Sequence, residues 1–579
     1  MKALLPCGAL LASLLLSPGP ALAQDTSPQP EETTAIADAQ PSVQARNFMV
    51  AAAHPLAAEA GRDILAKGGS AADAAVAVQL VLNIVEPQSS GIGGGAFALY
   101  WNAALSDLTS WDGRETAPAA AGPDYWLDEN GEPLGFFDAV PGGRSVGVPG
   151  TLKLMEELHA RYGRLPWTQV VAPAIRIAEE GFPVSQRMSA SIAGAEKLAE
   201  FPGARAYFFT EDGTPLPEGA TLRSPEFART LRQIASEGSA PFYEGAIARD
   251  IVAATRTETN TGVLALDDLA AYEVKERDPV CMDYRVWEVC GMGPPSSGAL
   301  TVGQILGILA NWDLSGLGLG TEAQHLFLEA SKLAFADRGL YMADTDFVDM
   351  PEGLLDPDYL TTRAALISEG EAMESADPGE PPWDDAALRA PGLEAPEYGT
   401  SHFAIVDSYG DMISITTTIE SGFGSHVMTN GFLLNNELTD FSFTPEEDGN
   451  PVANRVEGGK RPRSSMSPTI VLEDGEPVLL IGSPGGSRII PYVAQSLMGI
   501  LDFGLDPQVA FDRPHLTNRN GATDIEAGPQ AEELAQSLQA LGHETNIRDL
   551  NSGLHAIAIT PDGLIGAADR RREGIALGE

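Results

Sequence analysis

A glycine and a threonine stand where a polar linker gives way to a strand-forming segment. The linker, residues 368–397, is rich in Pro, Gly, Asp and Glu, and Gly399-Thr400 opens a stretch containing HFAIVD and MISITTTIE, which is typical of two strands. A threonine hydroxyl is a weak nucleophile, but an α-amine released by cleavage of the preceding peptide bond can act as its base. We therefore expect cleavage between Gly399 and Thr400, with Thr400 as the nucleophile. The alternative is an ordinary loop that enters a hairpin.

Four polar motifs follow this junction along the chain. They are residues 416–420 (TTTIE), 435–441 (NNELTDF), 461–468 (RPRSSMSP) and 482–488 (GSPGGSR). Taken singly, each motif is typical of a turn, a loop or a solvated face. Their order behind a Gly-Thr bond indicates instead one site that is built from several strand ends.

A competing nucleophile is Ser145, in the G-x-S-x-G sequence of residues 143–147. A serine hydrolase of this kind needs a strand directly before the motif and a helix directly after it. Pro141-Gly142 interrupts the first element and Pro149-Gly150 delays the second. The serine-hydrolase alternative is therefore weak.

The composition indicates an acidic globular chain. With 579 residues, 44% of them hydrophobic and 20% charged, the chain can bury a large core. A formal net charge of −45 repels nucleic acid and anionic lipid, which argues against a polynucleotide partner. The sequence has no Cys-His spacing typical of a metal site, and we expect no metal and no other cofactor.

The start of the chain predicts export. Residues 1–23 combine an early lysine, an apolar run and a small-x-small end, the pattern of a signal peptide, and residues 24–45 predict a flexible leader. No later apolar run reaches the roughly 18 residues of a membrane span. We expect a secreted protein, periplasmic in a Gram-negative source. There, Cys281 and Cys290 could form a disulfide or remain buried thiols.

Hydrophobic periodicity separates two halves of the chain. Helical spacing dominates residues 151–366, and strand patterns dominate after Thr400. This order favours a layered α/β (α+β) protein with antiparallel sheets. His159 and His325 fall within predicted helices and have no second ligand nearby, so we interpret both as structural residues.

Local signals predict two helix starts and one tight turn. Ser70 with Asp73, and Thr321 with Gln324, are each spaced as a capping box. Residues 91–95 (GIGGG) precede a strand, whereas a dinucleotide site needs a strand, then glycines, then a helix. We therefore expect a closely packed turn at these glycines.

At these motifs the chain resembles the gamma-glutamyltransferase (gamma-glutamyltranspeptidase) family. The resemblance runs from about Pro55 to the C-terminus, and the motifs that carry it are GGSAADAAVA, RETAP, VPG, GPPSSG, FADR, GTSHFAIVD, LLNNELTDF, KRPRSSMSPTI and GSPGGSRII. The resemblance implies an N-terminal-nucleophile hydrolase fold, a four-layer αββα sandwich. It also implies a precursor that cuts itself into a large subunit, residues 46–399, and a small subunit, residues 400–579, which stay together as a heterodimer.

The resemblance also implies roles for individual residues. Thr418 would orient the nucleophile, and Gly485 and Gly486 would provide the backbone N–H groups of an oxyanion hole. The remaining residues would bind the two charged ends of a glutamyl group. Those for the α-carboxylate are Arg114, Ser464 and Ser465, and those for the α-ammonium are Glu420, Glu437 and Asp440.

The implied activity is transfer of γ-glutamyl groups from glutathione and related amides to water, amino acids or peptides. An alternative within the same fold is a cephalosporin (glutaryl) acylase, whose substrate side chain lacks the α-ammonium. Three carboxylates for one ammonium argue against it, because buried carboxylates without a partner are costly. A secreted binding protein that stays uncleaved is the alternative from another class.

Overall fold

The computed structural model describes residues 40–383, 389–392 and 399–579. Two seven-stranded antiparallel sheets form its centre. In spatial order, the strands of the first sheet are Ile575–Gly578, Met49–Ala52, Gly399–Val406, Met412–Glu420, Gly95–Asn102, Asp107–Gly113 and Lys275–Arg277. Those of the second sheet are Val43–Ala45, Gly563–Ala568, His555–Thr560, Glu476–Gly482, Thr469–Glu473, Trp287–Gly291 and Val280–Tyr284.

The two sheets pack face to face, and helices cover the outer face of each. Helices on the first sheet include Pro55–Ala66, Ala71–Val85, Thr151–Tyr162, Trp167–Glu180 and Pro225–Glu237. Helices on the second sheet include Gly298–Leu309, Thr321–Tyr341, Pro357–Ala364, Ile489–Leu501 and Ala531–Gln539. A third apolar cluster, which contains Leu99, Ala404, Ile470 and Leu480, lies between the sheets. The layers are therefore αββα, as expected, with one core on each side of each sheet.

Smaller elements complete the described part of the chain. Short helices lie at Phe136–Ala139, Gln186–Gly194, Pro202–Phe208, Ala240–Tyr243, Ala246–Ala254, Leu266–Ala270, Leu314–Leu317 and Pro507–Phe511. Short strands lie at Phe182–Pro183, Thr221–Leu222, Met428–Thr429, Phe432–Leu433, Glu446–Glu447, Asn450–Pro451, Leu516–Thr517, Thr523–Glu526 and Thr545–Arg548. No helix among the residues that the structure describes is long and apolar enough to cross a bilayer.

Alternation along the strand Gly399–Val406 decides which layer each of its side chains meets. Phe403 and Ile405 join the core under the helices of the first sheet, whereas Ala404 and Val406 join the cluster between the sheets. Successive side chains of a strand point to opposite faces. Thr400 and Ser401, at the start of this strand, consequently face different layers.

Two expectations concern the start of the chain, and the structure tests part of one of them. Residues 1–39 lie outside the described residues, and with them the expected signal peptide. The expected leader, residues 24–45, is wrong in its last part, because Val43–Ala45 is a strand that pairs with Gly563–Ala568.

Cys281 and Cys290 are joined by a disulfide across two paired strands, which resolves the alternative left open by the sequence.

One of the two predicted capping boxes is present. Ser70 Oγ accepts from the Asp73 backbone N–H at 3.2 Å, and the Asp73 carboxylate accepts from the Ser70 N–H at 2.9 Å. The box predicted at Thr321 is wrong, because the helix takes Gly320 as its N-cap and has no side-chain cap. Ser70 succeeds because its hydroxyl precedes the first helical residue, as a cap requires.

The Asp73 carboxylate also ties its helix to the loop between the helices Thr151–Tyr162 and Trp167–Glu180. It is fully buried and accepts hydrogen bonds from the backbone N–H groups of Ser70, Arg164 and Leu165 at 2.9–3.0 Å. We predict that Asp73→Ala lowers the free energy of unfolding by about 3 kcal/mol, because one buried and two part-buried backbone donors lose one charged acceptor.

The measurement is urea-induced unfolding followed by far-UV circular dichroism. Asp63→Ala is the matched control, because Asp63 lies on the preceding helix and its side chain is 48% exposed beside Arg62. Equal midpoints for Asp73→Ala and the control would contradict the prediction.

Candidate functional site

Most of the sequence-predicted site residues meet at one small cavity. Its lining residues are Arg114, Gly399, Thr400, Thr418, Glu420, Glu437, Asp440, Ser464, Met466, Gly486 and Ile489. Most of them come from the junction at residue 399 and the polar motifs after it, and Arg114 follows the strand Asp107–Gly113 of the same sheet. The cavity therefore joins segments that are more than 300 residues apart in sequence.

The pairing of two strands fixes the geometry at the Gly-Thr bond. Gly399 pairs with Glu420 and Ser401 pairs with Thr417, with a shift of register between them. As a result, the Thr418 hydroxyl donates to the Gly399 carbonyl oxygen at 2.8 Å and accepts from the Glu420 N–H at 2.8 Å. The Thr400 hydroxyl also donates to the Gly399 carbonyl oxygen. Two hydroxyls therefore converge on the carbonyl of the bond that the sequence marks for cleavage.

The glycine turn at residues 91–95 supports these strand ends. A Cβ on Gly93 would lie 2.0 Å from the Leu433 carbonyl oxygen, and one on Gly94 would lie 1.9 Å from the Thr418 carbonyl oxygen. Such distances are impossible for a side chain, so only glycine lets the backbones approach. The expectation of a closely packed turn is confirmed.

The two asparagines of the NNELTDF motif bind two of the acidic residues of the site, Glu437 and Glu420. The Asn435 amide donates to the carbonyl oxygens of Gly93 and Gly147, at 2.7 and 3.0 Å, and its oxygen accepts from the Glu437 N–H at 3.0 Å. The Asn436 amide donates to the Glu420 carboxylate. Asparagine pairs usually mark turns, which is why the sequence did not indicate this supporting role.

Arg114 forms ion pairs with two of the predicted ammonium ligands. Its Nη1 contacts Glu437 and its Nη2 contacts Asp440, while its side chain also donates to the carbonyl oxygens of Pro462 and Arg463 at 3.3 and 3.2 Å. The sequence interpretation assigned Arg114 and these carboxylates to opposite ends of a ligand. In the structure Arg114 contacts Glu437 and Asp440, so the residues predicted for the two charged groups of the ligand lie side by side.

Glu115 is a site residue that sequence reasoning missed. Its carboxyl is fully buried and lies 3.9 Å from Arg114 Nη1. Burial raises the pKa of Glu115 to about 8, against the opposing effect of the Arg114 charge. Burial likewise raises the pKa of Glu437 well above its ordinary value, and the Glu115 charge adds to that rise. The sequence signal that could have found Glu115 is its position directly after Arg114 in the RETAP motif.

The predicted serine pair divides its contacts. Ser464 lines the cavity, and its hydroxyl accepts from the Met466 N–H at 3.1 Å. Ser465 does not line the cavity, and its hydroxyl accepts from Arg338 Nη2 at 2.7 Å. Arg338 therefore ties this motif to the helix Thr321–Tyr341.

The predicted oxyanion glycines begin the turn before the helix Ile489–Leu501. Gly485 has φ 130° and Gly486 has φ 58°, and side chains rarely adopt such values. A Cβ on Gly485 would lie 2.7 Å from the Tyr492 ring. Gly486 lines the cavity, and Gly485 is not among the lining residues.

Other candidates from the sequence lie elsewhere. The Ser145 hydroxyl is buried and donates to the carbonyl oxygens of Val140 and Gly142, at 2.6 and 3.0 Å, so it faces its own turn.

The His325 ring contacts His543 and the Ser368 carbonyl oxygen at 2.8 and 2.7 Å, and Lys332 lies 2.9 Å from the nearby Glu329. A lysine beside this cluster disfavours a cation there, and the interpretation of His325 as structural agrees with these contacts.

Comparison with known proteins identifies the family. The family model for gamma-glutamyltranspeptidase matches residues 57–579. A glutathione hydrolase proenzyme of Bacillus subtilis (strain 168) is 37% identical over 546 residues, which are 92% of this chain and 92% of that protein. An acylase ACY 1 proenzyme of Pseudomonas sp. (strain V22) is 36% identical over 571 residues, 94% and 96% of the two chains.

A solved structure agrees with the sequence comparisons. The cephalosporin acylase from Bacillus halodurans superimposes with a TM-score of 0.82 at 30% identity, covering 94% of this chain and 98% of that one. The αββα layers expected of an N-terminal-nucleophile hydrolase are thus shared with a solved relative. The chain belongs to the gamma-glutamyltranspeptidase family.

Proposed function

We propose that the chain cuts itself between Gly399 and Thr400 and then transfers γ-glutamyl groups to water or to amino-acid and peptide acceptors. The donors would be glutathione and related γ-glutamyl amides, as the name of the Bacillus subtilis relative, glutathione hydrolase proenzyme, suggests. The observation that carries the proposal is the Gly399 carbonyl, which accepts a hydrogen bond from Thr418 at 2.8 Å beside the Thr400 hydroxyl.

Self-cleavage needs only groups that already meet at this bond. The Thr400 hydroxyl oxygen attacks the Gly399 carbonyl carbon, and the peptide C–N bond breaks. The nitrogen takes the proton that the hydroxyl gives up and becomes the α-amine of Thr400. Water then hydrolyses the resulting ester, which leaves a carboxylate on Gly399. Thr418 donates to the oxygen on which negative charge develops, and such a donor stabilises the tetrahedral intermediate.

The new α-amine then acts as the base for turnover. It removes the proton from the Thr400 hydroxyl as that oxygen attacks the γ-carbonyl of the donor, and the proton passes to the leaving amine. This gives a γ-glutamyl ester on Thr400, which water or an acceptor amine opens. The Gly485-Gly486 backbone would provide N–H donors for the oxyanion. Because the amine is the base, no histidine and no cofactor are required.

The charges that line the cavity support an amino-acid end on the substrate. Arg114 can bind an α-carboxylate bidentately, with Ser464 beside it, while Glu420, Glu437 and Asp440 can surround an α-ammonium. Arg114 now neutralises Glu437 and Asp440. A glutamyl group carries both charges, so each ion pair within the protein can be exchanged for one with the ligand.

A second candidate function is removal of a glutaryl side chain, as in a cephalosporin acylase. The comparisons with an acylase proenzyme and a cephalosporin acylase favour it. The carboxylates oppose it, because a glutaryl group has no ammonium to offset Glu420, Glu437 and Asp440. We therefore keep the γ-glutamyl activity as the proposal.

The export of the chain is a separate proposal. A signal peptide at residues 1–23 followed by a two-chain product would give a large chain that begins at Gln24 and a small chain that begins Thr-Ser-His-Phe. N-terminal sequencing of protein recovered from the periplasm of a Gram-negative host checks both ends. Recovery of a chain that still begins at Met1 would contradict the export proposal.

The donor preference gives a prediction about Asp440. Wild-type protein should cleave a γ-glutamyl anilide with a kcat/KM about 10²-fold above that for the matching glutaryl anilide. Loss of one partner of a buried charge pair costs several kcal/mol, so Asp440→Asn should remove most of this preference. Steady-state release of the anilide measures both.

The control for this prediction is Asp448→Asn, an exposed aspartate of the same segment. It should keep the wild-type preference. Equal turnover of the two anilides by wild-type protein would favour the acylase instead.

Cleavage gives a prediction about the two threonines. Thr400→Ala should stay a single chain without activity, whereas Thr400→Ser should still be cut because it keeps a hydroxyl. Thr418→Ala should slow cleavage by about 10²-fold, the usual effect of removing one oxyanion donor. Denaturing gels of samples taken over time measure the fraction that is cut.

Thr417→Ala is the matched control on the same strand, because the Thr417 hydroxyl donates to the Gly95 carbonyl oxygen at 3.3 Å and not to Gly399. It should be cut at the wild-type rate. A cleaved Thr400→Ala protein would exclude this threonine as the nucleophile.

A further inference from the structure

The side chain of Arg572 reaches the residue that opens the candidate small subunit. Arg572 is 2% exposed, and its Nη1 donates to the Thr400 carbonyl oxygen at 3.1 Å. Its Nη2 donates to the Asn551 carbonyl oxygen at 3.4 Å. One rigid guanidinium group thus joins the main chain of Thr400 to the loop at residues 551–553.

The same loop contacts the turn that contains Gly485. The Gly553 N–H donates to the Ser483 hydroxyl at 3.4 Å. A Cβ on Gly553 would lie 2.6 Å from both the Pro484 ring and the Arg572 Cδ. A Cβ on Gly485 would lie 3.8 Å from the Asn551 carbonyl oxygen. Arg572 therefore contacts Thr400 directly, and it reaches the turn that contains Gly485 through the loop at residues 551–553.

The next residue, Ser401, is held by a second buried charged group. The Ser401 hydroxyl donates to Glu86 at 2.9 Å, and Arg187 donates to the other Glu86 oxygen at 2.8 Å. Burial raises the pKa of Glu86, while the charges of Arg187 and Arg572 oppose that rise. The chain at Thr400-Ser401 is thereby fixed on both sides by buried charged groups.

We propose that Arg572 is a positioning residue that sets the distance between the Thr400 nucleophile and the Gly485-Gly486 turn. This inference rests on the proposed function of Thr400. After cleavage the peptide bond to Gly399 no longer restrains Thr400, so its carbonyl becomes the main-chain anchor nearest to the hydroxyl. The nucleophile and the N–H groups of the oxyanion hole must both contact the same γ-carbonyl group of the substrate. A misplacement of either by about 1 Å can cost roughly 10²-fold in rate.

The experiment compares Arg572→Gln, Arg572→Lys and wild-type protein with γ-glutamyl-p-nitroanilide. Burst titration counts the working sites, so that kcat refers to each titrated site. We expect Arg572→Gln to lower kcat per site by about 10²-fold with little change in KM. Arg572→Lys should recover a large part of the loss, because an ammonium can still donate to the Thr400 carbonyl.

Arg570→Gln is the matched control, since Arg570 lies two residues away with its side chain 36% exposed and 3.6 Å from Asp512. It should keep the wild-type kcat. A wild-type kcat per site in Arg572→Gln, even with fewer sites, would overturn the proposal, because a purely structural role changes only the number of sites. Inactive, uncleaved wild-type protein would instead contradict the proposed function.

Arg572→Gln could also fail to cleave, and its unfolding temperature then decides. An unchanged unfolding temperature, with cleavage regained in Arg572→Lys, supports the proposal, since cleavage also depends on the position of Thr400. A lowered unfolding temperature in both variants, with neither cleaved, would show a folding role and overturn it.

Discussion

The pairing of the strands Gly399–Val406 and Met412–Glu420 is the constraint on which the candidate site depends. The shift of register after Gly399 places Thr418 against the Gly399 carbonyl. A shift of the pairing by one residue would move every side chain on the strand to the opposite face. Thr400 would then point into the helix layer and Ser401 toward the cavity. Register is strongly fixed here because both faces of the strand are buried.

The second constraint is a concentration of buried charge. One guanidinium, that of Arg114, lies among the carboxyl groups of Glu115, Glu437 and Asp440, all of them buried. Burial favours neutral carboxyl groups, whereas Arg114 favours charged ones. The raised pKa of Glu115, about 8, shows that the single arginine does not offset burial for every neighbour. The ammonium group of the proposed γ-glutamyl ligand would supply further positive charge.

Local features of the fold could be predicted from the sequence, and long-range contacts could not. Ser70 and Asp73 form their capping box because both partners lie within one turn, although the same pattern failed at Thr321, where Gly320 occupies the cap position. The layered α/β class followed from the periodicity. The contact between Arg114 and Asp440 spans 326 positions, and no local pattern encodes such a distance.

The candidate site shows the same division between residue type and geometry. The family resemblance implied that Thr400, Thr418 and Arg114 belong to one site, and they do line one cavity. The residues that hold them in place were missed, because a buried asparagine or arginine has no distinctive spacing. Asn435 and Arg572 became visible only through their contacts with backbone carbonyl oxygens.

In the proposed mechanism the same threonine serves cutting and catalysis, and two buried anchors on the chain after Gly399 account for this. A chain end that is freshly released gains conformational freedom, which opposes a fixed nucleophile. Here the restraint does not depend on the bond that breaks. Ser401 is tied to Glu86 in the helix layer, and the Thr400 carbonyl is tied to Arg572 near the C-terminus. Under the proposed function, loss of the Gly399–Thr400 bond would therefore free the α-amine without releasing the hydroxyl that it activates.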